Sequence, residues 1–305
     1  MMPNSAPLDV PPAPASAEDP PSAQDDWSGD LQALRAELDR IDDAVHALLM
    51  ERAKVVERVA KSGKRSAYRP GREASIIRRL LRQHSGSLPP QAIVRIWREL
   101  LAGTTAMQGP FSVAVCDPAG GGQFTLAARE HFGALTPMRV YGSPAQTLAE
   151  ISRGTASVAV LPLPSDTETP RDAWWTTMLQ NEEPRVHIVA RLPFWAARPD
   201  AAPSGQALVA ATTAPDSSER DRSLLGLELD TDASRTRLTA SLTAAGLPPE
   251  AMIVRRLQGA PIAQALVEVD GFLADDDPRL DRLDAVLRRP VVLGVYAIPE
   301  TGAAA

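Results

Sequence analysis

Cysteine, aromatic residues and long apolar runs are all scarce in this sequence of 305 residues. The single cysteine, Cys116, excludes a scaffold of internal disulfide bonds and fits a reducing compartment, so we expect a cytoplasmic protein. No run of about 18 apolar residues occurs, so no membrane-spanning helix is predicted. The first 30 residues contain no base and no apolar run of signal-peptide length, and we therefore expect no secretion signal there.

Charge and proline are distributed unevenly along the chain. Residues 1–30 carry six acids, no base and 7 of the 28 prolines, a composition that predicts a disordered tail over residues 1–29. Residues 31–109 carry 15 Lys and Arg against 8 acids, inside a protein with a net charge of -6. Such a basic module indicates an anionic partner, either nucleic acid or a small polyanion; a solvated basic helix face is the alternative.

Apolar residues from Leu31 onward recur every three or four positions, and neither Pro nor Gly interrupts them before Gly63. This pattern predicts a helix over residues 31–62, roughly 48 Å long at about 1.5 Å per residue. A helix of that length cannot bury its own apolar stripe and needs partner helices, including helices from another chain. Further helices are predicted over 72–83 and 89–108, so residues 30–109 form a module of three helices.

The chain from residue 110 onward alternates short apolar strands with helical stretches. Residues 110–215 are predicted to form a parallel α/β lobe, with strands at 112–116, 138–141, 157–161, 186–190 and 207–211 and helices at 123–132 and 144–153. Residues 221–299 are predicted to follow the βαββαβ order of the ferredoxin-like plan, with strands at 223–229, 252–257, 263–269 and 291–297 and helices at 233–245 and 277–288.

Polar residues stand at informative spacings within the helical module. Arg35 and Arg52 are 17 residues apart, which on one straight helix is about 25 Å and about 100° of rotation. One small ligand cannot reach both within a single chain, so a shared ligand requires one of them from a second protomer. Thr104 and Gln108 are spaced i and i+4 and share a helix face.

Arg72 and Glu73 open the second helix of the module. Each has two interpretations at this point. Glu73 is either a site carboxylate or a partner for the helix dipole, and Arg72 is either a site cation or a solvated charge.

Four sequence fragments within residues 30–109 occur in a specific combination: LRAELDRID, LLMERAKVV, YRPGREA and WRELL. Together they resemble the all-helical chorismate mutase family, especially the mutase domain that begins bifunctional chorismate mutase/prephenate dehydratase proteins. The resemblance implies an all-α three-helix domain in an intertwined homodimer, with chorismate as substrate and no metal or other cofactor. Carried over by position, it implies these site residues: Arg35 from the other protomer, Arg52, Arg72, Glu73, Thr104 and Gln108.

One position departs from the family pattern, which places a Lys 11 residues after the Arg that matches Arg52. Here that position is Gly63. Lys61 points to nearly the opposite helix face, while Lys64 is about 120° from Arg52 about the axis. We therefore assign Lys64 as the replacement cation.

The implied chemistry is a pericyclic rearrangement of chorismate to prephenate. Arg35, Arg52 and Thr104 would hold the two substrate carboxylates and fold the enolpyruvyl chain over the ring. Gln108 and the Lys64 ammonium would donate to the ether oxygen as it gains negative charge, which is electrostatic stabilisation rather than acid-base catalysis. Glu73 would accept a hydrogen bond from the ring hydroxyl, and Arg72 would support the Glu73 carboxylate.

The remaining chain also resembles the bifunctional proteins, but less closely, because several of their motifs are altered or missing. SVAVCDPAGGG and SVAVLPLPSD resemble parts of prephenate dehydratase, but about 40 residues separate Leu161 from the strand at 207, and the family's Thr-Arg-Phe motif has no match. We therefore expect a truncated lobe without dehydratase activity. The fragments DRSLLGLELD, LVEVDG and VVLGVY resemble a degenerate ACT domain, whose amino-acid-binding signatures are replaced here, so we expect it to serve dimerisation or another regulatory contact.

These features lead to one main functional hypothesis and two alternatives. The main hypothesis is a chorismate mutase that supplies prephenate for phenylalanine and tyrosine biosynthesis in the shikimate pathway. The first alternative is a catalytically weakened mutase that acts as a regulatory or partner-binding subunit, with another enzyme of the aromatic pathway as its partner. A nucleic-acid-binding protein is disfavoured because the basic residues are mixed with acids and lack interleaved aromatics.

Overall fold

The structure is a computed structural model with side chains. It describes residues 23–62, 67–170, 172–195, 205–230, 232–256, 259–284 and 287–300. The chain divides into two compact units, residues 1–55 and residues 56–305. Among the helices in these ranges, none combines the length and the apolar character needed to cross a membrane.

The first unit is described from Ala23 onward, and its described part is helical. Helix α1, Ala23–Lys61, extends past the boundary of this unit at Val55. The helix begins eight residues before the predicted start at Leu31, so residues 23–29 of the predicted tail are helical. Composition predicts disorder there because the segment is polar, but a nucleated helix extends with one backbone bond per residue. The rest of the predicted tail lies outside the described residues.

The apolar stripe of α1 is exposed in the single chain. Between Leu31 and Leu48 the exposure of the stripe residues ranges from 43% at Ile41 to 65% at Leu48, and Leu34, Leu38 and Val45 lie between these values. An exposed apolar surface of this kind indicates a partner surface.

Helices α2, Pro70–Gln83, and α3, Pro90–Ala106, belong to the second unit. Each has proline in its first turn, where no backbone N–H is required for the helix ladder. The helices pack on each other and on the sheet through a cluster that includes Ile77, Leu101 and Phe194.

The sheet begins with strands β1, Val113–Cys116, β2, Met138–Tyr141, and β3, Val158–Pro162, which are parallel as predicted. Helices α4, Gln123–Phe132, and α5, Pro144–Ser152, form the crossovers, and a short helix α6, Trp175–Met178, follows β3. The predicted parallel order holds for these three strands but not for the whole lobe. Strand β5, Ala207–Ala211, is antiparallel to β3 and to β4, His187–Leu192. The sequence predicts no helix between β4 and β5, and antiparallel neighbours need no crossover helix.

Four antiparallel strands complete the fold in the order β9-β6-β8-β7: β6, Asp221–Asp230, β7, Pro249–Arg255, β8, Ile262–Asp270, and β9, Leu287–Ala297. Helix α7, Arg235–Ala244, lies between β6 and β7, as predicted. The predicted helix over 277–288 is wrong: a 3₁₀ helix at Leu280–Arg282 is followed by β9, which begins at Leu287. Pro290 disfavours helical backbone before it, and a register shift in the β6–β9 ladder accommodates it.

The two predicted strand groups form one nine-stranded sheet, in the order β2-β1-β3-β5-β4-β9-β6-β8-β7. Strands β4 and β9 meet in parallel, with Ile188 opposite Gly294. Gly294 has a φ of 149°, and a Cβ there would lie 2.1 Å from the carbonyl oxygen of Ile188. Glycine is therefore required where the segments 110–215 and 221–299 join.

Candidate active site

Arg35 and Arg52 both lie on α1, within the first unit. The helix is continuous between them, so their 17-residue separation corresponds to about 25 Å along the axis. The Arg35 side chain is exposed and that of Arg52 is half-buried. Lys64 and Gly63 lie outside the described residues, so the assignment of Lys64 as the replacement cation stays a prediction.

Arg72 and Glu73 are adjacent in the first turn of α2, but their side chains point in different directions. Successive helical residues differ by about 100° in direction, and here Arg72 is exposed whereas Glu73 is only 8% exposed. The Nη1 atom of Arg98 donates to Oε2 of Glu73 at 3.0 Å, and both side chains are buried. The expectation that Arg72 supports this carboxylate is wrong: Arg98 on α3 does so.

Arg98 is a residue that the sequence analysis missed. It lies on the same face of α3 as the buried residues Val94 and Leu101, so a charged residue interrupts an apolar stripe at helical spacing. A charged residue at a buried position needs a buried partner, so a charge within an apolar stripe is the sequence signal that could have identified Arg98. Its guanidinium lies 5.1 Å from the ring centroid of Phe194, and burial lowers its pKa while Glu73 opposes that shift.

Tyr68 and His131 extend this buried polar cluster toward α4. The Tyr68 hydroxyl lies 3.2 Å from Nε2 of His131, and both side chains are buried. Burial raises the pKa of Tyr68, with the nearby Glu73 carboxylate adding to the shift. Burial also lowers the pKa of His131 well below its usual value, and the Arg98 charge lowers it further. His131 is therefore neutral near pH 7.

Acid is expected to destabilise the protein partly through His131. Below about pH 6.5 the unfolded chain protonates this histidine while the folded chain resists protonation, so the folded state loses stability as the pH falls. Between about pH 7 and pH 5, the free energy of unfolding should fall less steeply in His131→Gln than in the wild type. Urea unfolding across this pH range measures both slopes. His46→Gln, on the exposed face of α1, is the control, and parallel slopes for wild type and His131→Gln would contradict the prediction.

Thr104 and Gln108 lie at the C-terminal end of α3 and are brought together. The Thr104 hydroxyl is buried and donates to the carbonyl oxygens of Leu100 at 2.9 Å and Leu101 at 3.1 Å. Gln108 lies beyond the last residue of α3, yet its Nε2 donates to the carbonyl oxygen of Thr104 at 3.0 Å. The predicted shared face is therefore present, with the Gln108 side chain folded back onto the helix end.

The family model for chorismate mutase type II matches residues 34–109 of the chain. This segment comprises most of α1, all of α2 and all of α3. Residues 34–109 are thus similar to chorismate mutase type II domains. Every residue predicted for the site, from Arg35 to Gln108, falls within this matched segment.

Curated relatives of this chain are bifunctional proteins whose names also include chorismate mutase. A bifunctional chorismate mutase/prephenate dehydratase from Pseudomonas aeruginosa is 30% identical over 147 residues, which are 45% of this chain and 40% of the relative. The corresponding protein from Aquifex aeolicus is 29% identical over 147 residues, 46% of this chain and 40% of its own length. The match thus spans less than half of these relatives. Among solved structures, a prephenate dehydratase from Streptococcus mutans is 12% identical, with a TM-score of 0.46, over 61% of this chain and 97% of that chain.

Proposed function

We propose that this chain is a homodimeric chorismate mutase that converts chorismate to prephenate. The match of residues 34–109 to the chorismate mutase type II family carries the proposal, because that segment contains all seven residues assigned to the site. The family-like residues supply several cations and hydrogen-bond donors suited to a dicarboxylate, and the chemistry needs no nucleophile. Cys116, the only cysteine, is buried, and burial raises the pKa of its thiol to about 11.

The chemistry assigns one role to each group. Arg35, Arg52 and Thr104 bind the substrate carboxylates and hold the reactive folded conformer, which lowers the entropic part of the barrier. Gln108 and Lys64 donate to the ether oxygen as the bond breaks. Glu73 accepts from the ring hydroxyl, and its carboxylate is oriented by Arg98 rather than by Arg72.

A second copy of the chain is the proposed partner for the apolar stripe of α1. Two observations support this: the stripe is exposed in the single chain, and Arg35 and Arg52 are too far apart along one helix to share a small ligand. In a dimer with antiparallel α1 helices, Arg35 of one protomer joins Arg52 of the other. Each dimer then contains two sites.

We also propose that the chain lacks prephenate dehydratase activity and that residues 221–299 are an ACT-like domain. The two segments nearest to the dehydratase Thr-Arg-Phe motif are Gly205-Gln206-Ala207 and Pro184-Arg185-Val186, and neither reproduces it. The Arg185 guanidinium is held by Asp275 at 2.5 and 2.6 Å and by the carbonyl oxygen of Val292 at 2.9 Å, which ties the residues before β4 to β9 and to the segment after β8. This arginine has a structural role.

The test is the loss of chorismate absorbance with the purified full chain. We expect turnover far above the uncatalysed rate, and a rate equal to the uncatalysed one would overturn the proposed function. Lys64→Ala should slow the reaction, and an unchanged rate would remove Lys64 from the site. Phenylpyruvate formed from prephenate would overturn the proposed loss of dehydratase activity.

A further inference from the structure

The N-terminus of α2 is capped by a residue that lies 145 positions later in the chain. The first turn of a helix has backbone N–H groups without helical partners, and Arg69, which precedes α2, provides no side-chain cap. Asp216, in the connection between β5 and β6, accepts hydrogen bonds from two of these N–H groups. The Gly71 N–H donates to its Oδ1 at 2.9 Å, and the Arg72 N–H donates to its Oδ2 at 3.1 Å. Its negative charge also suits the positive end of the helix dipole.

The backbone around Asp216 lies directly against this first turn. A Cβ at Gly71 would lie 2.2 Å from the carbonyl oxygen of Asp216 and 2.8 Å from that of Ser217. Only glycine permits this approach, so the sequence of α2 is matched to the connecting segment. Arg69 adds an ion pair with Asp216 at 3.4 Å.

A second attachment lies further along α2. The buried Arg78 side chain makes five hydrogen bonds to the C-terminal part of the chain. Its acceptors are the carbonyl oxygen and hydroxyl of Ser218, the carbonyl oxygens of Arg220 and Ile298, and the Glu300 carboxylate. Helix α2 is therefore held at two points by the segment after β5 and by the residues after β9.

The turn capped by Asp216 carries two residues of the proposed site. Asp216 binds the backbone of Arg72 itself, and Glu73 is the next residue, with its carboxylate on Arg98. We infer that Asp216 is a positioning residue for the mutase reaction and that the C-terminal part of the chain is required for full mutase activity. This inference rests on the proposed function. It also gives the C-terminal part a role that does not depend on dehydratase chemistry.

The test compares Asp216→Ala with the wild type in the full chain, by steady-state chorismate turnover. Loss of the cap displaces Arg72 and Glu73, and misplacement of site groups by about 1 Å costs up to about 100-fold in rate. We expect kcat to fall about 10- to 100-fold and KM to rise several-fold. Simple loss of folded protein would lower the apparent kcat and leave KM unchanged. Asp216→Asn keeps one acceptor oxygen and should recover part of the activity, whereas Gly71→Ala should resemble Asp216→Ala.

The control is Asp275→Ala, which removes the ion pair between Asp275 and Arg185, two residues outside α2, and should leave both constants unchanged. Folding is checked by circular dichroism, and backbone hydrogen exchange of residues 71–74 reports the cap directly. We expect faster exchange there in Asp216→Ala. Wild-type kinetics, or unchanged exchange in a folded Asp216→Ala variant, would overturn the inference. An inactive wild type with the expected exchange difference would instead overturn the proposed function and leave the cap as a structural feature only.

Discussion

Replacing Arg98 by methionine is expected to lower the free energy of unfolding by about 3–5 kcal/mol. The variant removes the Arg98 cation from a buried ion pair with Glu73, whose side chains are only 5% and 11% exposed. The cost of an uncompensated buried charge exceeds the value of the lost hydrogen bond alone. The interaction between the guanidinium and Phe194 is lost as well.

Urea unfolding at neutral pH measures the change, and two variants separate its causes. Adding Glu73→Gln to Arg98→Met removes the stranded charge, so the double variant should be more stable than Arg98→Met alone. Arg40→Met breaks an exposed Arg–Glu pair on α1, with side chains 68% and 54% exposed, and should destabilise the protein far less than Arg98→Met. A loss below about 1 kcal/mol in Arg98→Met would show that the pair contributes little.

Helices and strands were predictable from the sequence where the apolar residues follow a single helical or strand periodicity. Helix α4 occupies Gln123–Phe132 as predicted, and β2 and β5 also match their predicted limits, because each has a clear apolar pattern between turn residues. The segment 277–288 contains leucines at a spacing that fits a helix, yet β9 begins at Leu287 because pairing with β6 outweighs local preference. The junction of β4 with β9 depends on a backbone approach at Gly294 that no local pattern specifies.

For the residues assigned to the site, local contacts were predictable from the sequence, whereas contacts between distant segments were not. Thr104 and Gln108 share a face because their spacing is local, and the structure places them together. The partner of Glu73 was mistaken because adjacency in sequence suggested Arg72, whereas helix geometry directs the two side chains apart. Asp216 was missed for a related reason: its contact with Gly71 spans 145 residues, and only the folded sheet brings them together.

Arg52→Ala is expected to reduce chorismate turnover about a thousandfold or more, to near the uncatalysed rate. The arginine is assigned to a substrate carboxylate, and its loss frees the enolpyruvyl chain from the folded conformer that reacts. Absorbance of chorismate measures the rate. Arg58→Ala, on an exposed position of the same helix, removes the same charge outside the assigned site and should keep wild-type kinetics. Near-wild-type turnover by Arg52→Ala would remove this residue from the site.

Mixing two inactive variants tests whether each site is shared between chains. Arg35→Ala and Arg52→Ala should each be inactive as homodimers, because every site lacks one arginine. A mixed dimer has one site that lacks both and one that is intact, since the intact site takes Arg52 from the first chain and Arg35 from the second. Random pairing of equal amounts during co-expression should therefore restore about one quarter of wild-type activity. Two arginines acting within one chain would give no recovery, because no chain in the mixture carries both.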